Sequence, residues 1–203
     1  MSSLLKMITD QLGSGGLNEM SAKLGVDEST TGKAVAAALP MLLGGLAKNA
    51  SDSSGANALS AALDRDHDGS IMDDMAGFLG GGAGGKQADG AGILKHVFGS
   101  REKAVENGVG KSSGMSAASA ASLMAMLAPM EMGALGKAKR QNNMDAQQLA
   151  GMLGNEKKEI EREAPQEMNL LNAFLDSDGD GDVDLGDLAK KGLSLFGKLG
   201  GGR

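Results

Sequence analysis

Gly25-Val26-Asp27-Glu28-Ser29-Thr30-Thr31-Gly32-Lys33-Ala34-Val35-Ala36-Ala37-Ala38-Leu39-Pro40-Met41-Leu42-Leu43-Gly44-Gly45-Leu46-Ala47-Lys48 carries the pattern that sets the fold. Val35, Leu39, Leu42 and Leu46 recur at helical spacing, with Leu43 beside them, and define one apolar face. Asp27 precedes the run and can accept the unpaired N–H groups of a first helical turn. Pro40 lies inside the stripe. It lacks an N–H and crowds the preceding turn, so the helix is expected to kink or break there. The stripe reads as core packing.

The same pattern returns later at an offset of 89 residues. Gly25-Val26-Asp27 is echoed by Gly114-Met115-Ser116, Pro40-Met41 by Pro129-Met130, and Gly44, Leu46 and Lys48 by Gly133, Leu135 and Lys137. Leu123, Leu127, Met130 and Ala134 form the second stripe, with Leu135 beside it, and Ser116 is its cap. Ala58 to Leu63 matches Gln148 to Leu153 with one residue inserted. A fixed offset over many positions predicts an internal duplication. Met124, Met126, Met130 and Met132 read as core filler.

Composition agrees with helices. Among 203 residues Val, Ile and Thr together number thirteen, too few for an extensive sheet, while Ala, Leu, Met, Lys and Glu favour helix. The expected fold is all-α, a duplicated multi-helical bundle with a C-terminal EF-hand-like helix-loop-helix. The 33 glycines predict short helices and mobile connections. Lack of cysteine removes disulfides and catalytic thiols. A net charge of −6 without a basic cluster or aromatic platform argues against nucleic acid. Met1 to Ile8 has one lysine and no long apolar core. It reads as the start of an amphipathic helix, not a secretory signal, so the default location is cytoplasmic. Ser112 to Met130 is uncharged, but its serines and alanines mark a buried or partner-facing helix, not a membrane span.

Two acidic loops stand apart. Asp176-Ser177-Asp178-Gly179-Asp180-Gly181-Asp182-Val183-Asp184-Leu185-Gly186-Asp187 packs six carboxylates into one stretch, whose mutual repulsion a hard dication would relieve. Calcium takes six to eight oxygens, and an EF-hand-type loop supplies them from positions 1, 3, 5, 7, 9 and 12. Those positions are Asp176, Asp178, Asp180, Asp182 (through its carbonyl), Asp184 (through a water) and Asp187. Gly181 falls at the sharp turn and Val183 at the inward apolar position, while Asp187 stands where glutamate is usual, as in dockerin-type loops. A weaker version begins at Asp64 and continues through Asp66, Asp68, Gly69, Ser70 and Ile71. Its twelfth residue is Met75, so Asp74 or Asp73 would have to close the ring. The alternative for each loop is a solvated acidic turn. The cofactor expected is Ca2+.

The stretch Met20 to Lys48, with Lys23-Leu24-Gly25-Val26-Asp27 leading to Ala38-Leu39-Pro40, resembles the bacterial domain-of-unknown-function 937 (DUF937) family and the related YidB-like proteins. Leu127-Ala128-Pro129-Met130 and Met132-Gly133-Ala134-Leu135-Gly136-Lys137 look like its second signature, and the resemblance spans roughly residues 1–155. It implies a compact multi-helical fold and no defined activity. Acidic loops of the Asp64 kind look like a habit of the family.

The expected organisation is a first repeat over 1–79 ending in an acidic loop, a Gly-rich linker over 80–90 and a second repeat over 91–154. A charged helix or spacer over 155–175 and a calcium-loop hairpin over 176–203 complete it. Leu170, Leu171, Phe174 and Leu175 enter that hairpin, and Leu188, Leu193, Leu195, Phe196 and Leu199 leave it. Gly80 to Lys86 matches the start of a phosphate-binding loop. Gln87 stands where a magnesium-binding hydroxyl belongs, so a linker fits better. His67 falls at a solvent-facing position of the first acidic loop, and His96 has no ligand or nucleophile context. The reading is a non-enzymatic, calcium-binding structural or interaction module with a protein partner or self-association. The alternative is an enzyme or small-ligand binder using a cleft between the repeats, with calcium only structural. A cleft with several convergent polar groups would favour that alternative.

Overall fold

A computed structural model describes residues 3–79 and 89–169. Among the described residues every regular element is helical. The order is α1 (Ser3–Gln11), a π-helical turn (Leu12–Gly16), α2 (Leu17–Leu24), α3 (Glu28–Asn49), α4 (Ser53–Asp66), a 3₁₀ turn (Ser70–Met72) and α5 (Met75–Leu79). Then come α6 (Gly90–Phe98), a 3₁₀ turn (Gly99–Arg101), α7 (Glu102–Ser113), α8 (Ala117–Gln141) and α9 (Ala146–Glu163). The segment 170–203, with the C-terminal acidic loop and its flanking apolar faces, lies outside the described residues, as does 80–88 with the Gly80–Lys86 stretch.

Helices α3 and α8 are the two long central elements, and their ends follow from local chemistry. Gly25 takes φ +63° and closes α2, and then Asp27 accepts the Thr30 N–H at 2.9 Å to open α3. Gly114 takes φ +79° after α7, and then Ser116 accepts the Ser119 N–H at 3.1 Å to open α8. Each cap contributes about 1 kcal/mol. Lys48 and the pair Lys139 and Arg140 occupy the last turns, where cations complement the helix dipole. Neither helix is broken at its proline: α3 runs through Pro40 and α8 through Pro129. The cost at such a site is the unpaired carbonyl four residues back. Ala36 lies on the exposed side, open to water. Ala125 faces Gly90 at the start of α6, so closely that a Cβ at Gly90 would collide with the Ala125 carbonyl oxygen.

One apolar core joins both halves of the chain. Val35, Leu39, Leu42, Leu46, Leu123, Leu127, Met130 and Leu135 all belong to it, as do Met124 and Met132, while Met126 packs half-buried against it. Each large apolar side chain so placed is worth about 1.5–3 kcal/mol. Both central helices are long and apolar enough to cross a bilayer by length and composition. In this fold 78% and 67% of their most apolar windows are buried against other helices, which is what core helices show.

Helices α1 and α9 pack against this central pair, α1 on α8 and α9 on α3. Helix α1 is amphipathic and buries Leu4, Leu5 and Ile8. Helix α9 opens on a capping box of Asp145 and Gln148 and runs across 154–155, where a change from repeat to spacer was expected. Its charged stretch buries Ile160 and Glu156, and Glu156 accepts the Leu4 N–H at 3.4 Å, so it caps α1 instead of facing solvent.

Candidate functional site

The first acidic loop is placed on the end of α8. Its residues Asp64, Asp66, Asp68, Ser70 and Asp74 do not converge on one point, and among the described residues no three acidic or histidine side chains are grouped to hold a metal. Instead the carboxylates meet cations. Asp64 Oδ1 accepts from Lys139 Nζ at 2.5 Å, Asp73 Oδ1 from Lys137 Nζ at 2.6 Å, and Asp68 Oδ2 lies 3.5 Å from an Arg140 guanidinium nitrogen. Asp66 pairs with its neighbour Arg65 at 2.6 Å. Asp68 also accepts the Ser70 N–H at 3.0 Å; hydrogen bonding from the Ser70 hydroxyl first, and then from this N–H, holds its carboxyl below the ordinary range, and Asp74 caps α5 by accepting the Gly77 N–H at 2.9 Å.

Burial ranks these pairs. The Lys139 side chain is only 10% exposed, whereas both members of the Arg140–Asp68 pair are about half exposed. Exposed pairs contribute about 0–1 kcal/mol each. Removing the partner of the buried Lys139 costs more, because a largely desolvated charge is left alone. Asp176, Asp178, Asp180, Asp182, Asp184 and Asp187 lie outside the described residues.

The segment approaches α8 at backbone level. Gly69 takes φ +93° and crosses the Cβ of Lys137. A Cβ at Gly136 would strike the His67 carbonyl oxygen, and one at Gly133 would strike Ile71. His67 is therefore not solvent-facing, as its loop position implied. It is 8% exposed and caps the C-terminus of α4. Burial lowers its proton affinity below that of an ordinary histidine, with Asp66 opposing and Arg65 adding to the effect.

His67 faces a cleft of about 590 Å³ between α4 and α6. Leu46, Leu59, Ile93, Val97 and Met132 supply apolar lining, and Gly55, Ala58, Ala61, Ala62 and Gly92 keep the helix walls low. The polar lining is Asn49, Arg65, Asp66, His67, Asp89 and His96. Asn49 donates to the Val97 carbonyl at 3.1 Å and ties the end of α3 to the end of α6. Asp89 caps α6 by accepting the Gly92 N–H at 2.9 Å. Asn49 and His96 thus lie together at the end of α6 and Asp89 at its start, while Arg65, Asp66 and His67 come from the end of α4. Both histidines of the chain line the cleft. Sequence reasoning treats each histidine alone and gives neither a role, because the residues that join them lie on separate helices.

Glu131 also escapes a reading by motif. It sits in the middle of α8, fully buried, and neither carboxylate oxygen has a hydrogen-bond partner among the described residues. Burial pushes its carboxyl well above the ordinary range, so this core favours the neutral acid over the carboxylate. The sequence does carry a signal for it: a lone acid inside an apolar stripe, where Leu42 stands at the equivalent offset.

The profile of the family described as "Bacterial protein of unknown function (DUF937)" matches residues 6–138. The chain belongs to the DUF937 family. The match runs from within α1 through most of α8, so the DUF937 region includes both walls of the cleft and the loop that seats His67. No curated protein and no solved structure matches the chain.

Proposed function

We propose that this DUF937 protein is a binding module that takes a small, partly apolar molecule in the cleft between α4 and α6. The observation that supports it most is the lining: an apolar floor with six polar side chains, both histidines among them, in a volume of about 590 Å³. That combination is typical of small-ligand sites, which run from about 300 to 1,000 Å³. The internal duplication belongs to this reading. Caps at Asp27 and Ser116, left-handed glycines at Gly25 and Gly114, and prolines at 40 and 129 support it, and the cleft would then lie between the repeats.

The test is a crystallographic fragment screen on wild type and on Ala58→Leu, which narrows the cleft from an exposed helical position. Fragments should cluster between α4 and α6 in wild type and be lost there in the variant. Binding scattered over the surface, or unaffected by Ala58→Leu, would end the proposal.

A second reading is favoured by the Asp176–Asp187 pattern: a calcium-ordered C-terminal element that serves as a docking piece for a protein partner or a second copy. Calorimetry should show calcium uptake that Asp176→Ala with Asp180→Ala removes. No uptake below about 1 mM would rule this out.

A further inference from the structure

We propose that the segment from Asp64 to Asp73 is an electrostatic strap that seats His67 in the wall of the cleft, with Asp64, Asp68 and Asp73 and their partners Lys139, Arg140 and Lys137 as its positioning residues. Three observations converge. All three cations come from the last turns of α8, and all three carboxylates from the segment that follows or ends α4. The ion pairs of Asp64 and Asp68 bracket His67 in the chain. Backbone contact over Gly136 and Gly69 brings the chain at His67 against α8, a fit that depends on the absence of a Cβ.

The same clustered carboxylates that suggest a cation loop are thereby committed to a protein-borne counter-charge. A strap held by charge is also adjustable. Exposed pairs weaken as salt screens them, while the buried Lys139 stem keeps its place in the core. The functional weight of the strap rests on the cleft being the binding site. Its geometry does not.

The test uses amide hydrogen exchange and the NMR titration of His67 in the full chain, so its failure is distinct from a failure to bind ligand. The variant Asp68→Asn with Asp73→Asn and Lys139→Met removes charge from all three pairs and keeps the size of each side chain close to the original. Arg65 and Asp66, the charged neighbours that tune His67, are unchanged. Exchange over 67–72 should accelerate at least tenfold, with α3 unaffected, and His67 should titrate closer to an ordinary histidine. Unchanged exchange and titration would overturn the strap. So would acceleration spread evenly over α3 and α8, which would mean general loss of stability. Should the triple variant fail to fold, wild type moved from low to molar salt must show faster exchange over 68–72, around the exposed pairs of Asp68 and Asp73, and its absence would overturn the proposal equally.

Discussion

Helices α3 and α8 start from the same cap chemistry and carry a proline at the same distance from it, yet they diverge two residues after that proline. Leu42 completes the stripe in α3. Glu131 interrupts it in α8 with a buried carboxyl that has no hydrogen-bond partner among the described residues. Their glycines diverge too. Gly45 of α3 lets Val97 and Phe98 of α6 approach, with a Cβ there falling 2.7 Å and 2.8 Å from them. Gly136 of α8 receives a backbone carbonyl, that of His67. Each central helix thus accepts a piece from the other half of the chain, but Gly45 of α3 accepts side chains whereas Gly136 of α8 accepts main chain. A shared pattern makes the bundle, and Gly136 marks where the chain at His67 crosses α8.

The largest effect should separate those two glycines. Gly136→Ala forces a main-chain segment away and should cost about 3 kcal/mol, whereas Gly45→Ala meets side chains that can shift and should cost about 1 kcal/mol. Gly151→Ala on α9, where a Cβ meets nothing, should gain about 0.5–1 kcal/mol. Urea unfolding of the three variants checks the order. Equal losses at 136 and 45 would break the contrast between main-chain and side-chain packing.

Glu131→Leu, which makes α8 resemble α3, should stabilise the fold at pH 7 by about 1–3 kcal/mol, by removing a buried group with no partner. The sign with pH comes from the raised folded value. Wild-type stability attributable to Glu131 is fully present below pH 4.5 and is lost as pH rises above that toward the folded value. The variant should lack this slope. Thermal melts of both proteins across about pH 4–8 decide it, and a Leu variant less stable than wild type at neutral pH would show that Glu131 has a partner. His67 acts in the opposite sense. Its lowered folded value means that stability is present above pH 6.5 and is lost as pH falls below it.

The smallest effects concern the caps. Asp27→Ala and Ser116→Ala should each cost about 1 kcal/mol, and similar losses by chemical denaturation would sharpen the likeness of the two helices.

Much of this bundle was legible in the sequence. Periodic stripes gave α3 and α8, and Asp27 and Ser116 marked their starts. The prolines led to the expectation of a kink or a break; the fold leaves one freed carbonyl near water and covers the other with Gly90, and neither helix breaks. The pairing of Ala58–Leu63 with Gln148–Leu153 was also shifted. The caps Asp52 and Asp145 align the same helices about one turn apart from that match, and Leu59 and Leu149 still reach the core because one turn returns to the same face.

The candidate site was less legible, for a physical reason. Local spacing shows Asp64, Asp66 and Asp68 close in the chain, as a cation loop requires. The counter-charges of Asp64 and Asp68 are over 70 residues away in the chain, in α8, and spacing cannot show them. The cleft likewise joins His67 and His96 from two helices that only tertiary packing brings side by side.

The measurement that bears most directly on the cleft is histidine-selective NMR, since the protein holds only two imidazoles and both line it. Titrating a fragment that binds wild type should move the His67 and His96 signals with one dissociation constant, and Ala58→Leu should weaken both responses together. Signals that move with different constants, or a response at one histidine alone that survives Ala58→Leu, would contradict a shared binding cleft.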